Sequence, residues 1–192
     1  MIVGSVILVL LAGLLFVGCR TSRSAYESAP YRVVRADGKF ELRDYPALTV
    51  VETPMAQKGS GADGSFMRLF RFISGDNAAK EKIAMTTPVF MSGSESNTTM
   101  AFVLPPNLKT NDAPKPTDAA VQVRELPAGR FAVLRFKGGR NATNEATSLA
   151  QLRVWLAKEH LRAGGSPVYG YFDPPWTPGF LRRNEVMLPV ER

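Results

Sequence analysis

Apolar and polar residues alternate in short runs along most of the chain, which is the pattern of strands that bury one face. The first two runs are separated by Asp37-Gly38, a dipeptide that strongly favours a β-hairpin. We therefore predict a mainly antiparallel sheet. Its strands are predicted over residues 31–35, 40–45, 48–53, 88–91, 100–104, 121–126, 131–136, 168–172 and 185–190.

Two segments have the spacing of helices instead. In residues 65–74, four apolar side chains at i, i+3, i+4 and i+7 predict a single buried stripe, which belongs either to the core alone or to the core and part of a pocket wall. A second helix is predicted over residues 141–162, with Asn141 as its N-cap. The stripe of the first helix consists of Phe66, Leu69, Phe70 and Ile73.

Four short patterns in the first half of the chain return in the second half, each shifted by about 80 positions. Residues 43–47 (RDYPA) return 81 positions later as residues 124–128 (RELPA). Three further matches follow in the same order, with shifts of 82, 79 and 84: Arg71-Phe72-Ile73 with Arg153-Val154-Trp155, Pro88-Val89-Phe90 with Pro167-Val168-Tyr169, and residues 102–105 with 186–189. The repetition predicts two structurally equivalent halves closed around one interior.

The predicted fold class is α+β. A duplicated unit, residues 31–104 and 121–190, forms a distorted antiparallel β-barrel that is flanked by two helices. Residues 105–120 contain four prolines and are predicted to connect the halves along the surface.

The N-terminus is predicted to attach the protein to a membrane. Residues 1–18 carry no charged side chain and read as a signal peptide or an N-terminal membrane anchor. Cys19, the single cysteine, follows a small residue and precedes a polar stretch, an arrangement similar to a bacterial lipoprotein cleavage box. We expect lipidation of Cys19, a tether over residues 19–30 and a domain facing the periplasm. An uncleaved transmembrane anchor and a misassigned start are the alternatives.

Charge and composition exclude several classes of function. The net charge is +7, but basic residues are scattered among acidic ones, so we expect solubility rather than nucleic-acid binding. The sequence has no HExxH motif, no paired CxxC and one histidine, His160, which is predicted to lie near a helix C-terminus in a structural role. We therefore predict that the protein is not an enzyme.

Several motifs together resemble the SOUL haem-binding protein family. They lie in the family's order and cover residues 31–190: Gly75-Asp76-Asn77, residues 82–89 (KIAMTTPV), residues 136–139 (FKGG), residues 170–176 (GYFDPPW) and residues 182–186 (RRNEV). The resemblance implies a distorted barrel of duplicated units with two helices, similar to the effector-binding domains of some transcription regulators. It also implies binding of haem or another tetrapyrrole.

The resemblance places an apolar pocket beside the first helix, with basic side chains near the haem propionates. The residues of that helix that match this role are Phe66, Met67, Phe70, Arg68 and Arg71. The two arginines could equally form a solvated face. No histidine lies in this helix, so we expect haem to be held by apolar contacts with weak or no protein ligation, although Met67 or Met85 could supply a thioether.

Two further residues have open roles. Trp176 either caps the mouth of the pocket or seals the core. Glu185 is a candidate pocket carboxylate, or it pairs with Arg182, Arg183 or Arg124 and closes the barrel. The leading hypothesis is a membrane-tethered protein that buffers or transfers haem. The alternatives are a small-molecule-binding or hydrolase-like domain that uses Glu185 on a non-haem ligand, and a structural envelope lipoprotein.

Overall fold

The computed structural model describes residues 26–55, 64–94, 97–174 and 176–191. The predicted signal peptide or anchor and Cys19 lie outside these residues. Within them, no helix combines the length and apolar character needed to span a membrane.

The chain alternates groups of strands with single helices, as predicted. The helices are α1 (Ser65–Ile73) and α2 (Ala142–Lys158), with one short 3-10 turn at Gly179–Leu181. The strands are β1 (Glu27–Ser28), β2 (Arg32–Asp37), β3 (Phe40–Tyr45), β4 (Leu48–Met55), β5 (Thr86–Thr87), β6 (Val89–Ser94), β7 (Asn97–Val103), β8 (Gln122–Leu126), β9 (Gly129–Phe136), β10 (Val168–Tyr171) and β11 (Asn184–Pro189).

Nine strands form one antiparallel sheet in the order β2-β3-β9-β11-β10-β6-β7-β4-β8, while β1 and β5 form a separate short parallel pair. Apart from β2, each strand of one half has a counterpart in the other half: β3 corresponds to β8, β4 to β9, β6 to β10 and β7 to β11. Replacing every strand by its counterpart gives the same strand order, read from the opposite edge of the sheet. The sheet is therefore built from two equivalent halves, which confirms the predicted α+β fold of duplicated units. Closure into a barrel is not observed, because β2 and β8 end the sheet without pairing to each other among the described strands.

The sheet curls, and its inner and outer faces have different partners. One cluster on the inner face draws side chains from both halves, including Tyr45, Val50, Phe90, Val133 and Met187. On the outer face, α1 packs over β4 and β7, and α2 packs over β9 and β11. Each helix thus closes one outer surface, and the two halves share the interior between them.

The buried stripe of α1 differs from the prediction. Leu69 and Ile73 are buried as expected, but Ser65 and Phe72 complete the stripe, while Phe66 and Phe70 are exposed. The expectation that the two phenylalanines form the core stripe was therefore wrong. In α2 the buried residues are Ser148, Leu152, Trp155 and Leu156, each 83 positions after its counterpart in α1. The helices correspond with this shift rather than with the predicted 82.

Helix α2 is shorter than predicted. It ends at Lys158 because His160 adopts a left-handed conformation (φ 55°), and the Leu161 N–H donates to the Leu156 carbonyl at 3.0 Å. This arrangement satisfies a terminal carbonyl and turns the chain away from the helix axis.

Candidate functional site

Helix α1 presents an apolar surface to solvent. Phe66, Met67 and Phe70 are 37%, 51% and 42% exposed, and we call these three residues the α1 face. The rings of Phe66 and Phe70 are nearly parallel with centroids 6.0 Å apart, and the ring centroids of Phe66 and of Phe102 on β7 lie 5.2 Å apart in an edge-to-face arrangement. The aromatic side chains are thus stacked and anchored on the sheet while still accessible from outside.

The two arginines of α1 both line one small depression but differ in their partners. The Nε of Arg68 donates to Thr53 Oγ1 at 3.1 Å and its Nη2 to the Pro54 carbonyl at 2.8 Å. Arg71 is exposed and lines the depression, of about 40 Å³, together with Asp76 and Thr117. Arg68 is therefore held against β4, whereas Arg71 remains accessible to an external anion.

Trp176 lies in the loop after β10 and is 82% exposed. This exposure excludes the interpretation that its ring seals the core. Trp176 is also absent from the residues that line the two described cavities. The start of the loop is held by Asp173, whose Oδ2 accepts from the Arg183 backbone N–H at 2.6 Å.

Glu185 lies at the centre of a buried ion network. Its carboxylate accepts a bidentate pair from Arg43 at 2.7 and 3.0 Å, and Oε1 accepts from Arg183 Nη2 at 2.6 Å. Arg43 in turn donates to Glu41 at 2.6 Å and to the Tyr45 hydroxyl at 3.0 Å. Of the predicted partners of Glu185, Arg183 is present, whereas Arg182 donates to the Thr177 carbonyl and Arg124 pairs with Glu52.

Burial and neighbouring charges act in opposite directions on this network. Burial alone would raise the pKa of Glu185, but the hydrogen bonds and charge of Arg43, with Arg183, hold that pKa below its usual value. Burial raises the pKa of the Tyr45 hydroxyl to about 12. The carboxylate of Glu185 is therefore ionised and engaged by arginines at neutral pH, and it does not line the inner cavity.

The inner face of the sheet encloses a cleft of about 140 Å³, which we call the inner cleft. Its wall is mainly aromatic and aliphatic and is drawn from both halves: Tyr45, Leu48, Phe90, Ala101, Leu126, Pro127, Phe131, Val168 and Met187. Polar side chains are contributed by Glu52, Ser92 and Arg124. The sequence reasoning missed this cleft, although the alternation along β4 places Glu52 on the same face as Leu48 and Val50.

The described residues offer no preformed metal site. They contain no group of three His, Cys, Asp or Glu side chains that could hold an ion. His160 is exposed just beyond the end of α2, the helix that covers the other half of the sheet. Met67 is the exposed thioether of the α1 face, while Met85 is partly buried against the core beneath α1.

The fold is similar to that of several solved structures. It is similar to the C-terminal domain of EcmrR, with 14% identity, coverage of 84% of this chain and 98% of that one, and a TM-score of 0.59. It is also similar to a hydrolase from Listeria innocua, with 11% identity, coverage of 82% and 94%, and a TM-score of 0.63. These likenesses define the architecture alone.

Sequence comparison defines the family. Residues 26–189 match the family described as SOUL heme-binding protein. Heme-binding protein 1 of Xenopus laevis is 26% identical over 160 residues, which cover 77% of this chain and 81% of the relative. The chain belongs to the SOUL haem-binding protein family.

Proposed function

We propose that the protein is a non-enzymatic haem-binding protein and that the tetrapyrrole lies against the α1 face. The observation that carries the proposal is the exposed pair of stacked phenylalanines on α1 in a chain of this family. A contiguous exposed apolar patch is typical of a surface that another molecule covers, and this supports the α1 face as the ligand site.

The chemistry of the α1 face suits a flat macrocycle. The ring of Phe70 and the thioether of Met67 offer apolar and polarisable contacts to a tetrapyrrole plane. Arg71 lies on the exposed side of the same helix and could make charge-assisted hydrogen bonds to a propionate. Arg68 is less suited to this role, since its guanidinium already donates to β4.

The size of the inner cleft supports the outer location. Its volume of about 140 Å³ is small beside the roughly 300–1,000 Å³ of pockets that enclose drug-sized ligands, and a tetrapyrrole is larger still. Haem at the α1 face would keep one side open to solvent. Such a site favours exchange with other carriers, so we propose that the protein buffers or transfers haem rather than using it in catalysis.

We further propose that the N-terminal segment tethers this domain to a membrane, with lipidation at Cys19 in the cell envelope and a single transmembrane anchor as the alternative. The uncharged run of residues 1–18 followed by the single cysteine supports this part of the proposal. A Cys19→Ala variant should lose incorporation of a fatty-acid analogue, whereas equal labelling of variant and parent would contradict lipidation.

A haem titration followed at the Soret band tests the site. In the full chain, the double variant Phe66→Asp with Phe70→Asp should weaken haem binding by about a hundredfold, because two charged groups replace the apolar contact surface. The matched control is Val154→Asp, which places one aspartate on an exposed apolar residue of α2. This control should bind haem as the parent does.

Two results would contradict the proposal. Absence of a saturable spectral change in the parent at micromolar haem would remove haem as the ligand and favour a purely structural lipoprotein. Equal binding by the parent and the double variant would keep haem as a ligand but exclude the α1 face as its site.

A further inference from the structure

Glu52 lines the inner cleft, and its carboxylate is incompletely satisfied. Its Oε1 accepts from Arg124 Nε at 2.7 Å, but its Oε2 is buried and has no hydrogen-bond partner among the residues that the structure describes. A buried charged oxygen without a donor is costly, and most buried polar atoms in proteins are paired. The unpaired oxygen therefore marks a place where a donor from another molecule would be favoured.

The ion network around Glu185 shows what a satisfied carboxylate in this interior looks like. Glu185 accepts hydrogen bonds from two cationic groups, Arg43 and Arg183. Glu52 has one such partner, Arg124, whose side chain is 45% exposed. A second cation at Glu52 would reproduce the arrangement that this protein already uses around Glu185.

The residues that line the cleft beside Glu52 favour a ligand whose remaining part is apolar. Leu48, Phe90, Leu126 and Phe131 line the cleft, and they offer aliphatic and aromatic contacts to an apolar body. A volume of about 140 Å³ accommodates a single ring or a short branched chain rather than a macrocycle. A cationic N–H donor forms a stronger, charge-assisted hydrogen bond with a carboxylate than a neutral donor does, and an ammonium group is a compact donor of this kind.

We propose that the inner cleft is a second ligand site, distinct from the α1 face, that binds a small primary amine with an aromatic or branched apolar body. The ammonium group donates to Glu52 Oε2, Arg124 holds the other carboxylate oxygen in place, and the apolar body packs between the two halves. This inference does not depend on haem binding.

The test uses the full chain and three ligands that share one ring: phenethylamine, uncharged phenethyl alcohol and anionic phenylpropanoate. Methyl NMR of Met187, which lines the cleft, reports binding there, and the methyl group of exposed Met67 on α1 reports on the other site. Phenethylamine should shift the Met187 signal in a saturable way and leave Met67 unchanged. The alcohol and the acid should bind at least about tenfold more weakly, because only the amine provides a charge-assisted hydrogen bond.

The variant Glu52→Gln keeps the shape of the side chain and removes its charge. It should weaken phenethylamine binding by about tenfold to a hundredfold, while haem binding stays at the parental level. Glu125→Gln is the matched control, because it makes the same change at the exposed neighbour of Arg124, and it should bind the amine as the parent does.

Three results would overturn the inference. They are no saturable Met187 shift at millimolar phenethylamine, equal amine affinity in the parent and Glu52→Gln, and binding of the alcohol or the acid as tight as that of the amine. Thermal unfolding of Glu52→Gln close to the parental midpoint would show that weaker binding does not reflect loss of the fold.

Discussion

Arg43 and Arg124 occupy equivalent positions in the two halves, but they meet different surroundings. Each lies two residues before an inward-facing side chain, which a Pro-Ala turn follows. Arg43 is paired with Phe131 and Arg124 with Val50, and these two partners are also 81 positions apart. Arg43 is fully buried and binds Glu41 and Glu185. Arg124 is half-exposed and binds only Glu52 among the described residues. The same backbone thus carries a closed ion network at one end of the interior and a partly open ion pair at the other.

The strand register shows how this difference arises. Glu185 is paired with Arg135 of β9, and the repeat of residues 102–105 at residues 186–189 makes Ala101, which is paired with Glu52 of β4, its counterpart in the first half. Ala101 has no polar side chain, so it cannot replace Glu185 as a partner of Arg124. A few side-chain differences between the halves therefore turned one end into a structural network and left a cleft at the other.

The helices differ in the same way. With the observed shift of 83, Phe66, Met67 and Phe70 correspond to Leu149, Ala150 and Arg153 of α2. The buried residues of the two helices match in type, from Ser65 and Ser148 onwards, whereas the outward residues do not. Duplication thus conserves the packing between helix and sheet, while the exposed surfaces diverge toward different roles.

The largest expected effect comes from removing the buried arginine. Arg43→Met leaves two buried carboxylates, Glu41 and Glu185, with fewer counter-charges, and should lower the free energy of unfolding by about 3–5 kcal/mol. Arg124→Met should cost less, about 1–3 kcal/mol, because this arginine is half-exposed, although its loss leaves the carboxylate of Glu52 unpaired. Chemical denaturation measures both. Equal losses in the two variants would show that the ends of the interior are energetically alike.

The pH dependence of stability sharpens the comparison further. The folded-state pKa of Glu185 is depressed, so its contribution is fully present above the unfolded pKa of about 4.3 and is lost as the pH falls through the folded value. The difference in unfolding free energy between the parent and Glu185→Gln should therefore shrink as the pH is lowered below about 4. Glu125→Gln, at an exposed carboxylate, serves as the control. A difference that stays constant with pH would contradict the assigned role of Glu185.

The smallest effect concerns the thioether that α1 has and α2 lacks. Met67→Leu keeps the apolar volume and removes the sulfur, so haem affinity should stay within about threefold of the parent and the Soret maximum should not move. Met85→Leu is the partly buried control. A displaced Soret maximum in Met67→Leu alone would identify Met67 as an axial ligand.

Local signals in the sequence predicted the elements of this fold well. The Asp37-Gly38 signal matches the β2–β3 hairpin, where Gly38 has φ 57°, and the helical spacing in residues 65–74 matches α1 to within one residue. The face of α1 could not be predicted, because two overlapping sets of apolar residues exist on this short helix. The sheet selects Leu69, Phe72 and Ile73 through contacts with β4 and β7, which are distant in sequence.

The chemistry of the interior was harder to predict than the fold. The partners of Glu185 come from β3, β9 and the segment before β11, so no local pattern links them. Alternation along β4 is sufficient to place Glu52 on the inner face. That Oε2 of Glu52 has no partner among the described residues could not be predicted, because it depends on how Arg124 of β8 pairs with the other carboxylate oxygen. Motifs in the sequence were sufficient to identify the family. Deciding that Glu185 belongs to a buried ion network and that Glu52 lines the cleft required the strand register.

The way the described chain begins has a mechanical consequence. Strand β1 is attached through two residue pairs with β5, a hydrogen bond from the Ala29 N–H to the Thr87 carbonyl at 2.8 Å, and a hydrogen bond between the Ser28 and Thr87 hydroxyls at 3.1 Å. A pulling force applied to the N-terminal segment would load this short ladder first and peel it open before any tension reached the large sheet. A domain tethered through its N-terminal segment, as proposed, would then gain reach by releasing a few residues, without loss of the folded body.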